Sequence, residues 1–401
     1  MDAIGLDPVS QAGLTAATGW DRGAKAAEAA AFLAGIGLIL FAAIADRAWL
    51  DRHLLPHLFL QRSEQILWWL VERSLAFLIG IALILPVRRY IGRAFRSGRG
   101  RDLSVNVLLM ILAVLMALLA SEFILRTGNW ARIERWAQSE EPLRHADPVL
   151  GWTNIPARIG GEVYQGHDIR YVLDAGGRRV SDFAHPVDSR RPSILFAGES
   201  IMFGFRLNWS DTAAGRIENA SGLQSVNIAV NGYGADQELM RLRQELPRFT
   251  QPVAVVALFA PTLLERSLDS HRPHLDATLH WHAARPAWRL ERVFKNLLLY
   301  HSTAAIDAGV VMTRSNLVAI VAEARARGAV PLILVPEFAP EQPVERKLRE
   351  RVLAGLPYVR VELDPHWSIP GDGHPDARAN RAMADAVLAV LAGHLQPRRA
   401  S

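Results

Sequence analysis

The chain has 401 residues, half of them apolar, with 45 Lys and Arg against 40 Asp and Glu and no cysteine. That length has room for two or three domains, and the apolar share points to a part that sits in lipid. The missing cysteines exclude disulfides, thiolate metal sites and a cysteine nucleophile, and the net charge of +5 comes with no nucleic-acid motif, so nucleic acid is not an expected partner.

Three apolar runs crowd the first third: residues 29–45, 66–87 and 105–125. Each approaches the roughly 20 residues that a helix needs to cross a bilayer core. The long lead before the first run and the two runs after it fit a cleaved signal peptide poorly, so three retained transmembrane helices are expected over 29–125, behind a cytoplasmic tail of residues 1–28.

Between the second and third runs "RRYIGRAFRSGRGR" carries Arg88, Arg89, Arg93, Arg96, Arg99 and Arg101 without an acid, whereas the first connection balances its arginines with acids. Positive charge stays in the cytoplasm. The expectation is a bacterial inner-membrane protein with a cytoplasmic amino terminus and everything after the third span in the periplasm, with anionic lipid as a partner of the arginines. Glu72 and Arg73 interrupt the second run and are expected near an interface or against neighbouring helices.

Residues 126–192 read as a linker and a small β-rich leader, with glycines, prolines and short alternating runs. Within it "LDAGGRRV" lacks the strand and helix context of a dinucleotide site and predicts a β-turn with surface arginines.

From residue 193 to 396 apolar strand candidates alternate with helical segments. The strands are "SILFAG", "SVNIAV", "VAVVALF", "VPLILVP" and "YVRVEL", and the helices include "QELMRLRQEL", "SNLVAIVAEARARG", "PVERKLRERVLAGL" and "ARANRAMADAVLAVLAGHL". Continuous Val, Ile and Leu runs of this kind are buried on both faces of a parallel sheet, which predicts an α/β domain with its site at the carboxyl ends of the strands.

Ser200 stands just past the first of these strands, on the turn into a helix, where it reads equally as a nucleophile or as a helix cap. Met202 takes the second glycine position of G-x-S-x-G, so the α/β-hydrolase elbow does not apply. Past the second strand, Gly232 and Gly234 leave backbone N–H groups uncovered, which suits an oxyanion site as well as a tight turn. The irregular insertion over 263–313 is placed to cover the site; its His271, His274, His280 and His282 lack the third ligand of a recognised metal spacing, so no metal is expected. Near the end, Asp372 and His374 flank one glycine on a loop before a helix. A serine needs a base and the base needs an orienting carboxylate, and Ser200, His374 and Asp372 supply those three roles.

In order and spacing these blocks resemble the SGNH hydrolases, also called the GDSL esterase family, over about half the chain. "FAGESIMFG" looks like the family's first block, with the Ser200 N–H as one oxyanion donor; "NIAVNGYG" looks like the second, with Gly232 as donor; "DGHPD" looks like the last. The resemblance implies a three-layer, flavodoxin-like α/β domain and a serine esterase or O-acyltransferase acting on acyl groups of an envelope or exported polysaccharide, without cofactor. Two departures stand out. Glu199 replaces the usual Asp, and in "VVALFAPTLLERS" Pro261 stands where the third block usually offers an Asn donor; Thr262 is the substitute hydroxyl. The missing Asn keeps a second reading open, a non-catalytic, membrane-tethered glycan-binding or assembly subunit. Three spans where one would anchor also suggest docking to a membrane acyl donor or polysaccharide-export partner.

Overall fold

The apolar runs of the first third are helices. The computed structural model describes residues 8–58, 62–97, 99–127, 143–285, 288, 290 and 300–393, and the chain divides into two units. The first comprises Met1–Arg52, Gln61–Gly128 and Trp288–Leu298. Its helices are α1 (Pro8–Ile44), the short α2 (Arg47–His53), α3 (Arg62–Ala82), α4 (Arg88–Arg96) and α5 (Gly100–Thr127). Arg22–Ile44, Arg62–Arg96 and Ser104–Phe123 are each long and apolar enough to cross a membrane.

Helix α1 is described from Pro8, so the expected tail is helical over its described residues, and alanines continue the helix into the apolar run. Residues 1–7, the connector at 128–142 and everything from residue 394 lie outside the described residues. The arginine-rich segment is also mostly helix. It prolongs α3 through a π-helical turn, Leu83–Val87, where Pro86 has no N–H to give the ladder. Glu28 of α1 lies 3.0 Å from Arg96 and 3.9 Å from Arg88, so an acid remote in sequence offsets part of the cluster. Gly35 and Gly80 let α1 and α3 approach closely, since a Cβ on Gly80 would stand 2.8 Å from the Gly35 carbonyl. Arg73 Nε donates to the Ala42 carbonyl of α1, so this charge packs against a neighbouring helix.

The second unit comprises His53–Leu60, Asn129–Ala287 and Leu299–Ser401. It opens with a hairpin of β1 (Arg144–Asp147) and β2 (Gly151–Asn154), followed by β3 (Arg158–Tyr164), β4 (His167–Leu173) and β5 (Arg179–Val180). Then come β6 (Ser193–Ala197), α6 (Ser200–Phe203), α7 (Ala213–Ser221), β7 (Gln224–Asn227), α8 (Ala235–Glu245) and β8 (Pro252–Leu258). A two-residue hairpin, β9 (His274–Leu275) with β10 (Trp281–His282), lies in the insertion, before α9 (Thr303–Ala326), β11 (Val330–Phe338), α10 (Pro343–Leu353), β12 (Tyr358–Leu363) and α11 (Ala377–Leu391).

The main sheet runs β12-β11-β8-β6-β7-β5-β4-β3. Its first five strands are parallel, with Leu195 beside Val226 and Val255, and every apolar strand read from the sequence is among them. Side chains alternate across the strand. Ile194 and Phe196 face Ile217 of α7 and Met383 and Val387 of α11, whereas Leu195 and Ala197 face Leu239 of α8 and Leu317 of α9. Helices on both faces of a parallel core make the three-layer α/β fold. Helix α9 also has the length and hydropathy of a span, but half of it is buried, with Ile306, Val310, Leu317 and Ile320 in this core.

The leader is not a separate small domain: β5, β4 and β3 add antiparallel strands to the same sheet, joined where Arg179 pairs with Asn227. The arginines of "LDAGGRRV" are not on the surface. Arg178 is buried and bonds Glu245 at 2.7 Å, and Arg179, fully buried, donates to the carbonyls of Phe203, Gly204 and Leu207. A buried guanidinium needs several acceptors, and the open end of α6 provides them.

Candidate active site

The loop after β6 sharpens at Gly198, where any Cβ would run into Met202 and Leu258. Glu199, not Ser200, caps the short helix: its backbone is extended and its carboxylate accepts the Ile201 N–H at 2.9 Å. Ser200 is therefore the first helical residue, with no intrahelical partner for its N–H and its hydroxyl free to turn sideways. The hydroxyl meets two acceptors, His374 Nε2 at 2.8 Å and a Glu199 carboxylate oxygen.

His374 comes from the loop between β12 and α11, across the carboxyl ends of the strands. Asp376 caps α11 by accepting from Arg378 and Ala379, and the Ile369 N–H bonds the His374 carbonyl at 2.7 Å. Asp372 Oδ1 takes His374 Nδ1, so the three side chains lie in line. Ser200, His374 and Asp372 are each at most 6% exposed at the side chain or residue. Burial pushes the Asp372 carboxyl up, but the bond and charge of His374 and the charge of Arg206 outweigh it and hold the group below its ordinary range. Phe205 flanks the imidazole, ring centres 4.9 Å apart.

Gly232 sits at φ +86°, the left-handed turn its sequence position suggested. The carbonyl of the same peptide, on Asn231, accepts from Arg144 Nη1 at 3.0 Å and Trp152 Nε1 at 2.9 Å. A trans peptide points its N–H opposite its carbonyl, so these two leader residues fix the direction of the Gly232 N–H. Thr262 lies half-buried in the 3-10 turn Pro261–Leu268, and among the described residues its hydroxyl bonds neither Ser200 nor His374. The insertion contributes a residue that the sequence reading missed: Arg266 reaches Glu199 at 3.1 Å and the Tyr233 carbonyl at 3.1 Å. Behind the serine a small cavity is lined by Glu199, Glu238, Tyr233, Leu263, Ser267 and Thr313. Glu238 is fully buried, and burial together with the charge of Glu199 holds it well above the ordinary carboxylate range. Elsewhere in the insertion His282 stacks on His274 and bonds Asp276 at 2.8 Å.

No family model matches the chain, and no curated protein does. Solved structures do. A lipolytic protein of the G-D-S-L family from Desulfitobacterium hafniense is 12% identical with a TM-score of 0.34, covering 50% of this chain and 99% of that one. A carbohydrate acetylesterase family member from Sinorhizobium meliloti is 14% identical, TM-score 0.33, covering 51% and 100%. A family two carbohydrate esterase from Clostridium thermocellum, solved with cellohexaose, is 14% identical, TM-score 0.32, covering 53% and 66%. The resemblance is to the SGNH hydrolases. With identities and TM-scores this low, the chemistry of the site stands on its own geometry.

Proposed function

We propose that the second unit is a serine esterase or O-acyltransferase working through Ser200, His374 and Asp372 on acyl groups of an envelope or exported polysaccharide. The observation that carries this reading is His374 Nε2 at 2.8 Å from Ser200 Oγ with Asp372 on the other ring nitrogen. Ser200 Oγ attacks the acyl carbonyl while its proton passes to His374 Nε2. The Ser200 and Gly232 N–H groups receive the developing oxyanion, and collapse expels the sugar oxygen, which takes the proton from His374. Water or a second sugar hydroxyl then resolves the acyl-enzyme, giving hydrolysis or transfer.

A specific observation favours a second reading. Pro261 offers no N–H where the resemblance places an Asn donor, and loss of one oxyanion donor lowers turnover by about two to three orders of magnitude in serine proteases. A non-catalytic, membrane-tethered glycan-binding or assembly subunit would keep the fold on those terms. Active-site labelling with a fluorophosphonate probe separates the two. Labelling of the wild type that is lost in Ser200→Ala and in His374→Ala supports the esterase or transferase; a folded wild type that takes no label supports the binding subunit.

The three long apolar helices support placement in a bacterial inner membrane, with the amino terminus cytoplasmic and the second unit periplasmic. His53–Leu60, between the first two long helices, belongs to the second unit: Leu55 is in its core and His57 pairs with Glu265 at 3.2 Å. That connection and the catalytic residues then share one side. The same helices would serve as a docking face for a membrane acyl donor or export partner, which predicts that partner capture in mild detergent is lost when residues 1–125 are removed.

A further inference from the structure

Arg206 has no counterpart among the motifs of the sequence, yet it touches the triad. It follows Gly204 with φ +58°, a left-handed backbone that a side-chain-bearing residue adopts only when its surroundings hold it there. Those surroundings come from the leader. Tyr171 Oη of β4 accepts the Arg206 N–H at 2.9 Å and donates to Glu162 Oε1 at 2.9 Å. Glu162 Oε2 of β3 lies 3.6 Å from Arg206 Nε, and the guanidinium lies over the Tyr164 ring at 3.8 Å. Nη1 then bonds Asp372 Oδ2, the oxygen that His374 does not use. Tyr164 Oη and Gln165 Nε2 fasten the same loop by donating to the Pro370 carbonyl at 2.6 and 3.0 Å.

We infer that Arg206 is a positioning residue for this site: Glu162 and Tyr164 of the leader hold its guanidinium on the outer oxygen of Asp372, so that Asp372 presents one fixed oxygen to His374. The inference rests on the proposed serine chemistry, and it makes the leader part of the site. The guanidinium has two effects. It pins the carboxylate in the orientation that aims His374 Nε2 at Ser200, and it offsets part of the negative field that the imidazolium feels during acyl transfer. Among the groups facing His374 are Ser200, Phe205 and, beyond the serine, Glu199 with Arg266; among those facing Arg206 are Glu162, Tyr164, Tyr171 and Phe205. Without the cation, Asp372 holds the imidazolium more strongly, so the variant's His374 resonance should change at higher pH than the wild type's.

Full-length protein in detergent micelles, carrying ring-13C histidine, gives the test. The His374 resonance is assigned by its loss in His374→Gln and titrated in wild type, Arg206→Gln, Arg206→Lys and Arg206→Gly. The glycine variant keeps the left-handed backbone without strain and so guards against misfolding. Midpoints raised in the Gln and Gly variants and restored toward wild type by Lys support the assignment. A wild-type midpoint in a folded Arg206→Gly overturns it. Fluorophosphonate labelling, read in the same samples, keeps the two readings apart: an unlabelled wild type sinks the esterase alone, and a labelled protein with an unmoved titration sinks the role of Arg206 alone.

Discussion

Ser200 Oγ stands between His374 Nε2 and a Glu199 oxygen, and that same Glu199 oxygen already carries Arg266. Glu199 is almost entirely withdrawn from water, its side chain 1% exposed, and Arg266 is 18% exposed. Breaking such a pair strands a charge, whereas removing both members does not. Arg266→Met should therefore lower stability by about 3 kcal/mol, and the double variant with Glu199→Gln should regain most of that loss, less about 1 kcal/mol for a weakened cap. Denaturant midpoints of the four proteins of this cycle give the coupling directly; single losses that simply add would show that Arg266 and Glu199 act independently. At this scale Ser200, Asp372 and His374 could be singled out in the sequence because each lies on a short loop with a spacing that chemistry recognises, and the structure brings these three side chains together. Arg206, Arg266, Arg144 and Trp152 were invisible: each acts from a segment tens of residues away, and an arginine or tryptophan carries no spacing that names its partner.

Helix α8 shows what an element does with acids it cannot solvate. Its first turn carries Asp236, paired with Arg272 at 2.6 and 2.8 Å, and Glu238, whose Oε2 has no partner among the described residues and lines the cavity behind Ser200. Burial raises Glu238 in the folded protein, so the native state holds a proton that the unfolded chain releases in the ordinary carboxylate range. Its contribution is then fully present at low pH and is lost as the pH rises toward the folded value, at up to about 1.4 kcal/mol per pH unit. Glu238→Gln removes that slope: its unfolding midpoint should track the wild type in acid and exceed it increasingly toward alkaline pH. Parallel curves across the range would mean that Glu238 is charged in the fold. The parallel strands were legible because both their faces are apolar, and the helices because their periodicity is long. The leader's membership of the sheet was not, since β5 has two residues and joins β7 through a single pair, Arg179 with Asn227, which no local pattern encodes. Arg178 and Arg179 looked like surface residues for the same reason, their acceptors lying on α8 and at the end of α6.

For the whole molecule, the proposed periplasmic placement of the site can be tested through single segments. Residues 53–60 are part of the second unit, whereas the long helices before and after them are part of the first. A chain that crosses once at Arg22–Ile44 and returns at Arg62–Arg96 exposes that connection opposite to the arginine cluster of α4, and a third crossing at Ser104–Phe123 brings the chain back to the connection's side. In the proposed topology the arginine cluster stays in the cytoplasm, even though Glu28 offsets two of its arginines. Because the chain has no cysteine, one introduced thiol is a unique reporter. Arg52→Cys, Ser97→Cys and Ala277→Cys all replace exposed residues. In spheroplasts of a bacterial host, an impermeant maleimide should label positions 52 and 277 and reach position 97 only after lysis. Labelling of position 97 in intact spheroplasts with positions 52 and 277 protected would invert the topology and put the serine site in the cytoplasm, where an envelope polysaccharide does not reach it. Labelling of all three in intact spheroplasts would remove both the second and the third crossing. The pattern 52 and 277 open with 97 closed would support the proposed periplasmic placement of Ser200, and it would do so whether or not the serine turns over.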